Sequence, residues 1–425
     1  MERFTGFIGI ALIFGIAFLL SNNRKAINYR VVLSGLAFQV ALAVFILKTD
    51  IGRNFFGAVA EGVKKLLTFS DRGAEFVFGL AANQGFVLDR IFGKQYNFIF
   101  FFRVIPTIIF VSVLVSVAYH LGIMQRIVKA FAWVMYKIMG VSGAEALSNV
   151  GSAFVGQVEA QIMIKPYVKG MTMSELLASM AGSMATIAGG VMATYIALGV
   201  QAEYLLAASI MAAPGALVIS KVVWPETEES ETKGKVSLEI KKEDANLVDA
   251  ISHGASVGLK VGLNVIAMLI GFIAIIALID YILGQIGYML GGWGMSLDFL
   301  GIDIKTLSLK QILGSVFSLF AWAMGVPWHD ARNAGSLMGT KMVINEFVAY
   351  LDYIHLRSTL SEKAQLITAF ALCGFANFSS IAIQVGGIGE LAPERRADLA
   401  KLGMKALVCG TLASYLSATI AGILM

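Results

Sequence analysis

Charge is scarce in this chain. Asp, Glu, Lys and Arg make up 14% of 425 residues, against 57% hydrophobic. A soluble domain carries roughly 25% charged residues, so no ordinary polar shell can enclose this much apolar sequence. Cysteine is scarcer still. Cys373 and Cys409 both sit in apolar stretches without metal-site spacing, which leaves them to packing. No block of Lys and Arg interleaved with aromatics occurs, so the formal charge of +5 is the basic excess of loops beside a membrane. It is not a nucleic-acid footprint. A small-residue cleavage site is missing after the first apolar run, residues 4–20. That run leads into NNRKAINYR, as a retained span does and a signal peptide does not.

What the chain does have is apolar runs of about 20 residues from end to end, the length that crosses about 30 Å of hydrocarbon. They are continuous rather than alternating, which excludes barrel strands and leaves helices. Residues 4–20 and 31–47 read as two spans joined by a cytoplasmic loop with Arg24, Lys25 and Arg30. Over residues 51–79, Phe55, Phe56, Val59, Val63, Leu66 and Leu67 recur at helical spacing around Lys64 and Lys65. This predicts an amphipathic helix, at the membrane interface or packed as a short brace. Further spans are predicted at 98–121, 172–198, 203–222, 256–290, 363–385 and 404–425, with a basic helix at 125–139. Residues 224–249 are a highly charged, solvent-exposed linker between two halves.

Two segments do not fit the pattern. Residues 143–170 include ALSNVGSAFVGQVEAQIMIKPYVKG, too polar and glycine-broken for a lipid-facing helix, with Glu159 near the middle beside Gln157. Residues 309–353 include AMGVPWHDARNAGSLMGTKMVINEFVAYLDY, with Glu346 next to Asn345. Both carry an Asn-x-Gly-Ser signature, at Asn149-x-Gly151-Ser152 and Asn333-x-Gly335-Ser336. Each is followed by two spans, which predicts a duplicated unit of hairpin plus two helices. Carboxylates inside the membrane are costly and face a cavity, a partner or a substrate. Paired interrupted segments in two halves point to a transporter site. The competing reading is that both glutamates brace helices within the bundle. Asn377 and Ser380, three apart in ANFSSI, share a helix face and offer amide and hydroxyl groups. The stretch GSMATIAGG at 182–190 is their small-residue counterpart, or else a close-packing surface. A channel needs a continuous polar lining that the sequence does not show. An enzyme built on His329-Asp330 lacks a second histidine cluster or a nucleophile elbow, so these residues read as a capping or network pair.

GQVEAQ at 156–161, NEFVAY at 345–350, ANFSSI at 376–381, MAAPGAL at 211–217 followed by PETE, and GVPWHDARNAGSLMG together resemble the concentrative nucleoside transporter family of bacterial type. The resemblance runs over nearly the whole chain. It implies an all-α polytopic membrane protein with about eight transmembrane helices and two re-entrant hairpins in an inverted repeat, plus an interfacial amphipathic helix. It implies a homotrimer in the bacterial inner membrane, in contact with lipid and with no nucleic-acid partner. By this reading residues 1–121 are mostly scaffold, 122–222 the first repeat with hairpin 1, 223–250 the charged cytoplasmic linker, 251–300 a scaffold span, and 301–425 the second repeat with hairpin 2. Gln157, Val158, Glu159 and Val191 would face the nucleobase. Glu346, Asn377 and Ser380 would hold the ribose, and Phe375 would line the pocket. No tightly bound cofactor is implied, only a coupling cation, H+ or Na+. A sodium ion would fall on Ser152, Val155, Thr186 and Ile187. The family pattern has asparagine where Ser152 stands and GQTEAP where this chain has Val158 and Gln161. With protons instead, Glu159 or Glu346 is the natural carrier.

Overall fold

The computed structural model describes residues 2–79, 99–233, 244–293 and 302–425. Residues 234–243 of the expected linker and the end of the 251–300 segment lie outside them. Five described helices are long and apolar enough to cross a membrane, or seven if each of two bent pairs counts as one span.

The N-terminal elements are α1 (Glu2–Leu19), α2 (Tyr29–Lys48) and α3 (Asp50–Phe78). Asn28 caps α2 by accepting from the N–H groups of Arg30 and Val31, and Thr49 caps α3 through the N–H of Gly52. Helix α3 is amphipathic, as its spacing predicts. Phe56, Ala60, Leu67, Ser70 and Ala74 form its buried stripe while Lys64 and Lys65 are exposed. The next elements are α4 (Phe100–His120) and α5 (Ile123–Met139), which meet at 76°. Gly122 makes this bend with φ +72, in the left-handed region that glycine enters without steric cost.

The first repeat follows as α6 (Gly143–Ser152), α7 (Glu159–Ile162), α8 (Lys165–Val168), α9 (Met173–Ala185), α10 (Gly189–Ala197) and α11 (Ala202–Val223). After the linker come α12 (Leu247–Gly292) and the second repeat: α13 (Leu309–Ala323), α14 (Trp328–Val343), α15 (Glu346–Leu356), α16 (Glu362–Leu372), α17 (Phe378–Leu391) and α18 (Arg396–Leu424). The halves correspond element by element. Helices α6 and α14 each carry the Asn-x-Gly-Ser signature. Helices α7 and α15 each open on the glutamate, the α9/α10 and α16/α17 spans are each broken, and α11 and α18 close the units.

Several boundaries differ from expectation. Residues 309–353 are three helices, with α13 folded back on α14 at 119°. The predicted span 172–198 is two half-helices separated at 186–188, whereas the interruption expected near Asn377 in 363–385 is present, at 373–377. Helix α18 begins at Arg396 because the charged turn before residue 404 is itself helical, a continuation that hydrophobicity does not reveal. Residues 225–232, expected as exposed linker, are partly packed. Thr232 is buried and its Oγ1 accepts from Ala144 N–H, and Ser230 Oγ donates to Glu175. Helices α1 and α2, expected with the scaffold, lie against α11 and α18, where buried Gln39 donates to Met211 O (3.0 Å) and Ser417 Oγ (2.9 Å). Helix α4 instead pairs with α12.

That last pairing has a simple cause. Ala250, Gly254, Gly258 and Gly262 recur every fourth residue and bury one face of α12. A Cβ on Gly254 would lie 2.7 Å from Val113 Cα, and one on Gly258 would lie 2.6 Å from Ile109 Cα. Small residues at this spacing let two helix backbones touch. The rest of α12 is largely exposed and apolar: Ile270, Ile273, Leu278 and Tyr288 are all more than half accessible.

Candidate functional site

The two broken spans cross at their breaks. In the first, the α9 helix ends at Ala185 and α10 starts at Gly189; in the second, α16 ends at Leu372 and α17 starts at Phe378. The main-chain N–H of Phe375 donates to Thr186 O at 3.2 Å, joining one unwound segment to the other. The Ser414 hydroxyl of α18 has a carbonyl oxygen from each break within reach, Ala185 O (3.3 Å) and Cys373 O (3.2 Å), beside Gly410 O of its own helix (3.1 Å), and its one proton is shared among them. Gly374 adopts φ +152, and a Cβ there would lie 2.8 Å from Ala185 O. Only glycine satisfies both demands. Unwinding frees helix-end N–H and C=O groups inside the bundle, and part of that deficit is met at this crossing.

Three helix N-termini meet at the breaks: α10, α15 and α17. In hairpin 2, Asn345 caps α15 through Val348 N–H (2.9 Å), which places Glu346 at the first helical position. Glu346 is 6% exposed, and each carboxylate oxygen has a neutral donor. Tyr195 Oη donates to Oε1 at 3.1 Å and Asn377 Nδ2 donates to Oε2 at 3.0 Å. Asn377 also caps α17, its Oδ1 accepting from Ser380 N–H (2.9 Å) and Ser379 Oγ (2.7 Å). The structure thus brings together Glu346, Asn377 and Ser380, with half-buried Phe375 two residues before Asn377.

Hairpin 1 approaches the same α17 one step further along. Gln384 Nε2 donates to Gln157 Oε1 (3.4 Å) and Met180 O (3.2 Å). Val158 packs on Gly387, where a Cβ would lie 2.6 Å from Val158 Cγ2. Seven residues separate Asn377 from Gln384, about 10 Å of helix at 1.5 Å per residue. Glu159 is exposed, and among the described residues nothing bonds its carboxylate. That carboxylate lies over Gly156, where a Cβ would meet Oε2 at 1.9 Å. Val191 is half-buried in the first turn of α10.

Two side chains missed in the sequence belong here. Tyr195 is fully buried, stacks on Tyr350 (centroids 4.5 Å apart) and joins α10 to the Glu346 carboxylate. Lys341, also fully buried, donates to Ala371 O at 2.8 Å, near the end of half-helix α16, with its ammonium 6.0 Å from the Tyr415 ring centroid. A cation at a helix C-terminus is favourable. It also gives the interior a positive charge to set against Glu346. A lysine within an apolar run was the available signal. Asp330 accepts from Ser361 N–H (3.1 Å) and Ser361 Oγ (2.6 Å), the N-cap of α16, with His329 Nε2 3.3 Å from its carboxylate.

For a sodium ion the expected donor set is incomplete at Ser152. Thr186 Oγ1 donates to Gly182 O, and its carbonyl accepts from Phe375 N–H. Ser152 Oγ donates to Ser148 O (2.7 Å) and pairs with Ser183 Oγ (2.8 Å), turned away into a cluster of serines. The carbonyls of Val155 and Ile187 stay available, and Thr186 Oγ1 keeps its lone pairs while donating, whereas Ser152 Oγ already accepts from the serine cluster.

Broken spans crossing at their breaks, each beside a hairpin whose second helix opens on a glutamate, define a secondary transporter of inverted-repeat architecture. Models of the Na+ dependent nucleoside transporter match residues 8–81 (N-terminus) and 204–422 (C-terminus), and a nucleoside recognition "Gate" model matches 101–202. The nucleoside permease NupC of Helicobacter pylori is 38% identical over 98% of this chain and 96% of its own. An uncharacterized transporter of Haemophilus influenzae is 43% identical over 100% and 98%. Among solved structures, CNTnw in an inward-facing substrate-bound state aligns with a TM-score of 0.91 at 40% identity, covering 100% of this chain and 98% of that one. The chain belongs to the concentrative nucleoside transporter family, whose members are transporters rather than enzymes.

Proposed function

We propose that this protein imports nucleosides across the bacterial inner membrane, coupled to a cation gradient, by alternating access about the crossing of its two broken spans. The observation that carries this reading is the Glu346 carboxylate, buried at a helix N-terminus and held by Tyr195 and Asn377. A carboxylate and an amide side by side accept from and donate to vicinal hydroxyls, which suits a ribose. About 10 Å along α17 lies the Gln157–Gln384 pair, whose amides can match a base edge. That separation suits one nucleoside. The ribose would lie against Glu346, Asn377 and Ser380, with Phe375 lining the pocket and the base toward Gln157, Val158, Glu159 and Val191. Glu159, with its carboxylate unclaimed, is available to a ligand.

In the same reading the two repeats move as a unit with α1 and α2 against a scaffold containing α4 and α12. The exposed apolar length of α12 supports burial against lipid and against neighbouring copies in a homotrimer. The test is uptake of labelled uridine and adenosine into vesicles, with sodium and proton gradients imposed separately. Accumulation above the external concentration that collapses with one gradient is expected. Equilibration without accumulation would identify a pore instead.

A further inference from the structure

The serine cluster beside hairpin 1 is a closed hydrogen-bond network, and Gln161 is at its centre. Gln161 is 1% exposed, and Ser148, Ser152, Ser179 and Ser183 are at most 2% exposed. Gln161 Nε2 donates to Ser148 Oγ (2.9 Å) and Ser183 Oγ (2.8 Å), and Ser179 Oγ donates to Gln161 Oε1 (2.6 Å). The serine–serine contacts are Ser148 to Ser179 at 2.5 Å and Ser152 to Ser183 at 2.8 Å.

Each hydroxyl has one proton, and this fixes every direction. Ser179 spends its proton on Gln161, so Ser148 donates to Ser179. That closes a ring from the Gln161 amide N–H through Ser148 and Ser179 back to the Gln161 carbonyl oxygen. Ser152 spends its proton on Ser148 O, so Ser183 donates to Ser152. No hydroxyl proton is left over, and no group in the network carries charge. Ser148 and Ser152 belong to α6, Gln161 to α7, and Ser179 and Ser183 to α9. The network therefore fastens both arms of hairpin 1 to the span behind it.

We infer that Gln161 does in this protein the structural work of a bound cation. Its neutral amide locks hairpin 1 onto α9, and nucleoside binding therefore requires no sodium. This deepens the nucleoside-transport reading and rests on it for the ligand. It also accounts for Ser152. A longer side chain there would intrude on the Ser183 hydroxyl that Gln161 engages, and the neighbouring amide oxygen, Asn149 Oδ1, is pressed against Gly182, where a Cβ would lie 2.0 Å away. The loss of sodium coupling would leave a proton as the driving ion.

The test uses the purified full chain in detergent, with thermal unfolding and uridine affinity measured in sodium chloride and in choline chloride at about 0.15 M. Wild-type melting temperature is expected to be the same in both salts, and uridine Kd the same within about twofold. A sodium-specific rise in melting temperature, or a tightening of uridine Kd by about tenfold or more in sodium, overturns the inference. Gln161→Leu is expected to lower the melting temperature and weaken uridine binding about tenfold or more, equally in both salts. An unchanged Gln161→Leu protein overturns the fastening role. If that variant does not fold, Ser179→Ala, which breaks the ring at one hydroxyl, is measured in the same way. Absence of both uridine and adenosine binding by the wild type would overturn the nucleoside reading alone, because the melting comparison decides the sodium question without a nucleoside.

Discussion

Glu346 is the residue on which most depends. Its two oxygens are bonded by neutral donors in a buried setting, and hydrogen bonds to a charged group contribute about 1.5–3 kcal/mol each. Glu346→Gln keeps the shape but replaces one acceptor oxygen with a donor that faces either Tyr195 or Asn377. Uridine affinity is expected to fall about 10- to 100-fold, read by isothermal titration or vesicle uptake. Wild-type uptake by this variant would remove the basis for the proposed ribose site. Tyr195→Phe deletes only one donor and leaves the aromatic stack with Tyr350 intact, so a smaller loss, about three- to tenfold, is expected in the same titration. An affinity equal to wild type would show that Asn377 alone orients the carboxylate. The acids and amides of this site were visible in the sequence because polar residues are rare inside apolar segments. Tyr195 was not. A tyrosine in an apolar run has the appearance of packing until its hydroxyl is placed, and nothing local places it.

At the scale of elements, hairpin 1 is held at both ends by charge. Lys221, at the end of α11, reaches Glu145 at 2.7 Å, Glu226 at 3.3 Å and Ser174 Oγ at 2.9 Å, with only 7% of its side chain exposed. Glu145 is the acid of the capping box that starts α6, and Thr172 with Glu175 makes the same box at α9. At the other end, Arg395 donates to Lys169 O (2.8 Å) and Met171 O (2.6 Å), meeting the carbonyls that follow α8. Lys221→Met leaves Glu145 buried without its partner, a change that costs about 3–5 kcal/mol. A markedly lower melting temperature in detergent is expected, and Glu145→Gln in the same chain should recover part of it. No recovery would argue that Lys221 acts through packing alone. The existence and order of helices were legible from apolar periodicity, including the amphipathic α3. The breaks were only partly legible. Asn377 and the glycines near 189 marked them, but a half-helix pair and one continuous span have the same hydrophobicity. The packing of residues 225–232 was invisible for the opposite reason, because acids and serines that satisfy helix starts resemble an exposed linker.

For the whole molecule, the pairing of α4 with α12 joins two helices that lie outside the two repeats. Its basis is backbone contact along the Ala250–Gly262 stripe, so Gly258→Ala should already be felt: the new Cβ meets Ile109 Cα rather than a movable side-chain end. A loss of about 1–3 kcal/mol of stability is expected by thermal unfolding in detergent. Gly271→Ala, on the same helix with nothing within 4 Å, should leave the melting temperature unchanged or slightly higher. Equal effects at the two positions would dismiss the stripe as the source of the pairing. Helix α12 itself has 46 residues, about 69 Å at 1.5 Å per residue, more than twice the hydrocarbon thickness. The sequence showed a span longer than needed at 256–290, but the four-residue repeat of small side chains begins before that window, at Ala250, where composition still suggested linker.

The hydrogen bond from Phe375 to Thr186 and the shared hold of Ser414 make the two breaks a single energetic object. A change at one unwound segment shifts the backbone that the other uses as its partner, so substitutions in the two halves should not add. A double-mutant cycle between Gly374→Ala and Thr186→Ala, one in each half, is then expected to show a coupling of about 0.5–3 kcal/mol, although the residues lie 188 positions apart in sequence. Two halves that meet in this way cannot drift independently. Whatever tunes one half of the crossing constrains what the other half can become.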